Sequence, residues 1–174
     1  MGWTSENVAA EFQVTREEQD AFAAESFRRA EDAQKRGIFR KEIVPFTVFR
    51  KDDDSGKKIL VTIEQDDGIR YGTTKEKLAK IKPAFPQWGN STTTGGNASQ
   101  ITDGAAAVLV MTRKEAQRRG VPILAKHITT AVAGVPPRVM GIGPVYAIPL
   151  ALKNAGIQLT DVDLFEVSGP YRKQ

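Results

Sequence analysis

Gly89-Asn-Ser-Thr-Thr-Thr-Gly-Gly-Asn-Ala-Ser99 runs through three residues into Asp103-Gly-Ala-Ala-Ala-Val-Leu-Val-Met111. The first stretch is small and polar throughout, and a loop of that length is either a linker or a functional loop. A linker leads into an independent domain. This one leads straight into a run of small apolar residues that reads as a buried strand. The pairing predicts a functional loop held by a central strand.

Downstream, the chain alternates. Lys114 to Arg119 reads as a short helix closed by Gly120, and Leu124 to Val135 as a long strand-like run. Tyr146 to Ala155 reads as a helix closed by Gly156, and Val162 to Val167 as a last strand. Strand, helix, strand, helix, strand predicts an α/β fold. Met140-Gly-Ile-Gly-Pro144 joins strand to helix, its glycines allowing close backbone approach. It is not a G-x-G-x-x-G fingerprint and precedes a helix carrying Pro149, so no dinucleotide site is expected.

Upstream, the chain reads as helical. Thr4 or Ser5 can cap a short helix through Phe12. Thr15-Arg-Glu-Glu18 is a capping box opening a longer helix to about Arg36, with Gly37 suited to the position after its end. Phe22, Ala23, Ser26, Ala30 and Ala33 recur at helical spacing and predict a close-packing face. Ile43 to Phe49 and Ile59 to Ile63 read as two strands around the polar turn Asp52-Asp-Asp-Ser-Gly56. Thr73 or Thr74 can cap a short helix from Lys75 to Ile81, which Pro83 ends.

Composition narrows the chemistry. The 174 residues carry 40% hydrophobic and 26% charged side chains, ordinary for a globular chain. No apolar run reaches the roughly 18 residues of a membrane span. The first residues lack the basic and apolar regions of a signal peptide. With Cys 0 and His 1, thiolate catalysis, disulfides and multi-His metal sites are all excluded within these residues. The net charge of +4 comes from scattered basic pairs with acids between them, which reads as solvated surface. Aromatics make up 7% and do not interleave with those pairs, so no nucleic-acid interface is expected. An anionic small molecule fits the charge.

Eight motifs then stand in one order. They are Met1-Gly-Trp-Thr-Ser-Glu-Asn-Val-Ala9, Thr15-Arg-Glu-Glu-Gln-Asp20, Glu42-Ile-Val-Pro45, Lys82-Pro-Ala-Phe85, Gly96-Asn-Ala-Ser99, Asp103-Gly-Ala-Ala-Ala107, Met140-Gly-Ile-Gly-Pro144 and Asp163-Leu-Phe-Glu166. Their order and spacing resemble the thiolase family, most closely peroxisomal-type 3-ketoacyl-CoA thiolases (acetyl-CoA C-acyltransferases). The resemblance runs from Met1 to about Glu166. It implies a partial α/β thiolase fold, layered αβαβα, with part of the loop domain that binds coenzyme A. Residues 1–99 would be the second part of that loop domain. Residues 100–122 would be the last strand and helix of the N-terminal half, 123–167 the start of the C-terminal half, and 168–174 a tail outside the family pattern.

The resemblance also implies which chemistry is missing. In the family a nucleophilic cysteine lies upstream of the segment matching Met1. A Gly-His-Pro histidine and a second cysteine lie downstream of Glu166. An Asn-Glu-Ala-Phe motif should follow Glu166, but Ser168 stands where its asparagine belongs. No catalytic residue and no metal ligand is therefore assigned. No cofactor is implied, and coenzyme A enters as substrate. The resemblance points to coenzyme A contacts instead: Arg70 near the nucleotide, Ser99 near the pantetheine arm, and Phe85, Met140 and Met1 along the pantetheine tunnel. Other readings stay open for each. Arg70 can pair with Asp66 or Asp67, Ser99 can serve its own turn, and Phe85 and Met140 can be plain core. Lys77 replaces a polar family contact and faces either phosphate or solvent. His127 matches no catalytic motif and reads as structural.

Two functions follow as expectations. One is a piece of a thiolase that cleaves 3-ketoacyl-CoA with coenzyme A in fatty acid β-oxidation, inactive alone, protease-sensitive and prone to aggregate. The other is a non-catalytic coenzyme A-binding or interaction module. The resemblance places the chain in the peroxisome and makes its family partner a second copy in a homodimer, although no Ser-Lys-Leu ending is present. Val167-Ser168 can be encoded by GTG-AGT, which resembles an intron start, so a truncated gene model or an unspliced transcript is expected.

Overall fold

The computed structural model describes residues 2–167. Helix α1 spans Gly2–Glu11 and α2 spans Arg16–Lys35. Thr15 caps α2 as the capping box predicts. Its side chain accepts from Glu18 N, and the Glu18 carboxylate accepts from Thr15 N at 2.8 Å. These bonds hold the Glu18 carboxyl below its ordinary value, the Thr15 backbone N–H first and the hydroxyl second. Gly37 follows the helix in the left-handed region at φ 69°. Helix α1 begins earlier than the expected cap at Thr4 or Ser5. Ser5 lies inside it, buried, with its hydroxyl 2.9 Å from Thr93 Oγ1.

Strands β1 (Phe46–Lys51) and β2 (Lys58–Ile63) pair antiparallel, Phe46 opposite Ile63 and Lys51 opposite Lys58. Pro45 sits just before β1, where its missing N–H costs no ladder bond. Helix α3 (Lys75–Ala79) is capped by Thr74, whose hydroxyl accepts from Lys77 N at 3.3 Å. Helix α4 (Arg113–Arg119) ends at Gly120, and α5 (Gly143–Ala155) ends at Gly156, both glycines left-handed.

Three expected strands do not form. Residues 103–111, 124–135 and 162–167 carry no strand, and β1–β2 is the sheet among the described residues. Val108, Leu109 and Val110 are each about four-fifths exposed, and Leu124 is 93% exposed. A strand exists only by bonding to a neighbour, and none lies alongside these segments among the described residues. The α/β alternation therefore appears as its helices only. Met140-Gly-Ile-Gly-Pro144 does not leave a strand either. Its Met140, Gly141 and Ile142 lie in a tight 3₁₀ turn, Pro137–Ile142, and its Gly143 and Pro144 open α5.

Packing is concentrated on α1 and α2. Val8 of α1 meets Val139 and Ile142 of the turn in a small apolar cluster. Asn7 Nδ2 donates to Arg138 O at 2.9 Å, and Arg138 pairs with Glu11. On α2, Ala23 is fully buried, whereas Phe22 on the same predicted face is 53% exposed. Arg16 Nη2 donates to Leu78 O and Ile81 O, which ties α3 to the start of α2.

Candidate functional site

The polar loop 89–99 is a built feature, held by helices and not by the expected central strand. Glu6 on α1 takes Thr92 N (3.0 Å) and Thr93 N (2.9 Å), one on each carboxylate oxygen, together with the hydroxyls of Ser91 and Thr92. Its negative charge gathers backbone donors that a loop would otherwise leave to water. On α2, Gln19 Nε2 donates to Thr92 Oγ1 at 3.0 Å. Asn97 completes the clamp. Its Oδ1 accepts from Thr94 N at 2.7 Å, and its Nδ2 donates to Asp20 Oδ1 at 3.0 Å and Thr92 O at 3.1 Å. Asp20 is 1% exposed and is paired through Oδ2 with Arg16 at 2.7 Å. Thr93, Thr94 and Asn97 are buried. A buried polar network of this kind fixes one loop conformation, and within it Gln19 Oε1 alone is buried without a hydrogen-bond partner among the described residues. Gly96 is required by close approach, since an added Cβ would stand 2.5 Å from Leu78 Cδ2 and 2.7 Å from Ile81 Cδ1.

This loop delivers Ser99 to one wall of a cleft of about 230 Å³. Ser26, Phe27 and Ala30 of α2 form its floor, Ala98, Ser99, Gln100 and Thr102 one wall, and Asp67, Gly68 and Ile69 the other. The second wall is tied to α2 as well. Glu31 accepts from Gly72 N at 2.8 Å and pairs with Lys35, and Tyr71 Oη donates to Gln34 Oε1 at 2.5 Å. Lys35 first and the Gly72 amide second hold the Glu31 carboxyl below its ordinary value. Thus α2 serves as a common rail for both walls.

Arg70 follows directly on Ile69. Its guanidinium is 66% exposed and lies 3.8 Å from Asp67, itself almost fully exposed. Such an exposed pair is worth ~0–1 kcal/mol, so it does not commit the cation to Asp67, and Arg70 itself stands next to the lining residues and not among them. Ser99 Oγ makes one long bond of 3.4 Å to Gln100 O. A hydroxyl held that weakly keeps most of its bonding capacity for a ligand amide.

The remaining predicted contacts lie elsewhere. Phe85 is not among the cleft-lining residues. It stacks on Trp88, 4.3 Å between ring centroids, and Trp88 stacks in turn on Trp3 at 4.2 Å. Gly2 of α1 touches that stack, because an added Cβ would be 2.5 Å from Phe85 Cζ. Met140 is 46% exposed on the turn that packs against α1. Phe85 and Met140 therefore share α1 as neighbour, while Arg70 and Ser99 share α2. Met1 lies outside the described residues. Lys77 Nζ donates to Gly72 O at 2.7 Å, so it braces the Arg70-bearing turn. His127 is exposed, and its Nε2 lies 2.8 Å from Thr130 Oγ1, three residues on. No metal-holding group of His, Cys, Asp or Glu occurs among the described residues.

Sequence reading missed Gln100, Gly68 and the clamp of Glu6, Asp20 and Asn97. Asn97 carried a signal, an amide in a loop of small residues, but its partner on α2, Asp20, stands 77 positions away and was not legible from spacing.

The thiolase N-terminal domain profile matches residues 1–114, and the thiolase C-terminal domain profile matches 121–174. The peroxisomal 3-ketoacyl-CoA thiolase of Yarrowia lipolytica is 53% identical over the whole chain, which covers 41% of its length. The human peroxisomal 3-ketoacyl-CoA thiolase is 52% identical, again over the whole chain and 40% of its own length. The crystal structure of the dimeric peroxisomal thiolase of Saccharomyces cerevisiae superposes with a TM-score of 0.86 at 41% identity. It covers 99% of this chain and 41% of that one. The chain thus spans about two-fifths of the relatives it matches.

Proposed function

Because the chain belongs to the thiolase family, we propose that it is part of a 3-ketoacyl-CoA thiolase of the peroxisomal type and contributes its coenzyme A surface. The observation that carries this reading is the cleft on α2, which has Ser99 on one wall and Asp67, Gly68 and Ile69, the residues just before Arg70, on the other. The guanidinium of Arg70 supplies a fixed charge for the nucleotide phosphates. The Ser99 hydroxyl takes an amide of the pantetheine arm. Phe85 and Met140, both beside α1, and Met1 would contact the arm nearer its thiol end. In the whole enzyme this surface would hold the substrate while 3-ketoacyl-CoA and coenzyme A give acetyl-CoA and an acyl-CoA shortened by two carbons.

The bond changes need groups that are not among these 174 residues. Cleavage requires a thiolate nucleophile and a base to generate it, and the chain has no cysteine and a single histidine bonded to Thr130. Its contribution is therefore binding and orientation. Residues 1–99 act as the second part of the coenzyme A-binding loop domain, 100–122 end the N-terminal half, and 123–167 begin the C-terminal half. The peroxisome, where its named relatives belong, is the proposed compartment, and a second thiolase copy the proposed partner.

A non-catalytic coenzyme A-binding module is the second reading. The self-contained clamp joining α1, α2 and the loop favours it. The test is calorimetric titration of the chain with coenzyme A beside a thiolysis assay. Saturable binding that weakens in Arg70→Ala and Ser99→Ala, with no turnover of acetoacetyl-CoA, is the expected result. Failure to bind coenzyme A overturns the site assignment, and turnover overturns the purely binding role.

A further inference from the structure

We propose that Gln100 is a positioning residue that sets the distance between the two walls of the cleft, and so between Ser99 and Arg70. This rests on the coenzyme A reading above and refines it. Gln100 Nε2 donates to Gly68 O at 2.6 Å. Gln100 follows Ser99 directly, and Gly68 precedes Arg70 by two residues. One side chain therefore ties the wall that bears the serine to the wall whose backbone continues into the arginine.

The other tethers act differently. Asn97 with Asp20 fixes the first wall to α2, and Glu31 with Gly72 N fixes the second wall to α2. Gln100 fixes the walls to each other. Gly68 is built for this contact. Its φ of +110° lies in the region that favours glycine, and an added Cβ would collide with Gln100 Oε1. Only a bare Cα lets the amide group lie against that stretch of backbone.

The consequence concerns ligands long enough to touch both walls. Such a ligand gains from contacts already held at the right separation. A ligand that touches one wall gains nothing from it. Coenzyme A has both parts, a phosphorylated nucleotide for Arg70 and an amide-bearing arm for Ser99. Gln100 thus couples the two halves without having to touch either.

The experiment compares three probes on the 174-residue chain: coenzyme A, pantetheine and adenosine 3′,5′-bisphosphate, by competition titration. Gln100→Ala is expected to weaken coenzyme A about three- to tenfold, the range set by losing one exposed hydrogen bond, and to leave each half-ligand within about twofold. Gln100→Met keeps the length without the N–H donor or an added charge and is expected to behave alike. It carries the same comparison if the alanine variant does not fold. Gly68→Ala, which displaces the amide from the opposite wall, is expected to show the same split. Equal weakening of all three probes would mean a merely structural role, and unchanged coenzyme A affinity would remove the coupling. Either result overturns the proposal while leaving the coenzyme A reading intact. Absence of coenzyme A binding by the unaltered chain overturns both.

Discussion

Replacing Asn97 by alanine is expected to release the loop that carries Ser99. Asn97 is 3% exposed and its side chain makes three hydrogen bonds, to Thr94 N, Thr92 O and Asp20 Oδ1. Two neutral bonds contribute roughly 1 kcal/mol each, and a bond to a carboxylate about 1.5–3 kcal/mol. Asp20 retains Arg16 at 2.7 Å, so its charge is not left alone in the interior. Water entering the vacated space recovers part of the loss. The net cost is about 3 kcal/mol, a large share of the roughly 5–15 kcal/mol that stabilises a domain. Urea unfolding followed by tryptophan emission is the assay. Trp3 and Trp88 are stacked on each other beside α1, whose Glu6 binds the same loop, so their emission reports the clamp. The midpoint should fall with little change in slope. A loss below about 1 kcal/mol would refute the claim that this network, and not chain connectivity, holds the loop.

Three further outcomes follow from the same structure. Gly96→Ala forces a Cβ into Leu78 and Ile81. It should cost roughly 1–3 kcal/mol, read as a lower melting midpoint, and an unchanged midpoint would contradict the packing described. On α2, Arg28 first and Arg29 second depress the Glu25 carboxyl to about 2, and Glu31 is lowered chiefly by Lys35. Depressed carboxylates contribute stability that is present above their ordinary value of 4.5 and lost as pH falls through the folded-state value. Helical ellipticity should thus decline between about pH 4.5 and 2, less steeply in Glu25→Gln, and a loss centred above pH 5 would count against it. Limited thermolysin digestion should cut first within 101–111, where Val108 to Val110 are exposed, and spare α1, α2 and the loop. First cuts within 91–99 would contradict the clamp.

What the sequence made legible was local. The Thr15 capping box, the Thr74 cap, the glycine stops at 37, 120 and 156, and the hairpin around Asp52-Asp-Asp-Ser-Gly56 all depend on neighbours within a few residues. The small-residue strand at 103–111 was read from its pattern, but a ladder needs a second segment, and pattern cannot supply one. The eight collinear motifs identified the family, because order over a whole chain is far more specific than any single motif. The cleft was half legible. Ser99 and Arg70 were singled out, yet what joins them is a bond from Gln100 to a glycine carbonyl 32 positions earlier. Phe85 and Met140 carried a family signal, but Phe85 stacks with Trp88 beside Gly2 of α1, and Met140 stands half-exposed on the turn whose Val139 and Ile142 meet Val8.

The account stands most directly on where coenzyme A binds. Titrating it into the ¹⁵N-labelled 174-residue chain should give saturable shifts at the backbone amides of Ser26, Gly68, Ile69, Ser99 and Gln100. Shifts confined to other residues, or none at concentrations that saturate the relatives, would contradict a coenzyme A surface on α2.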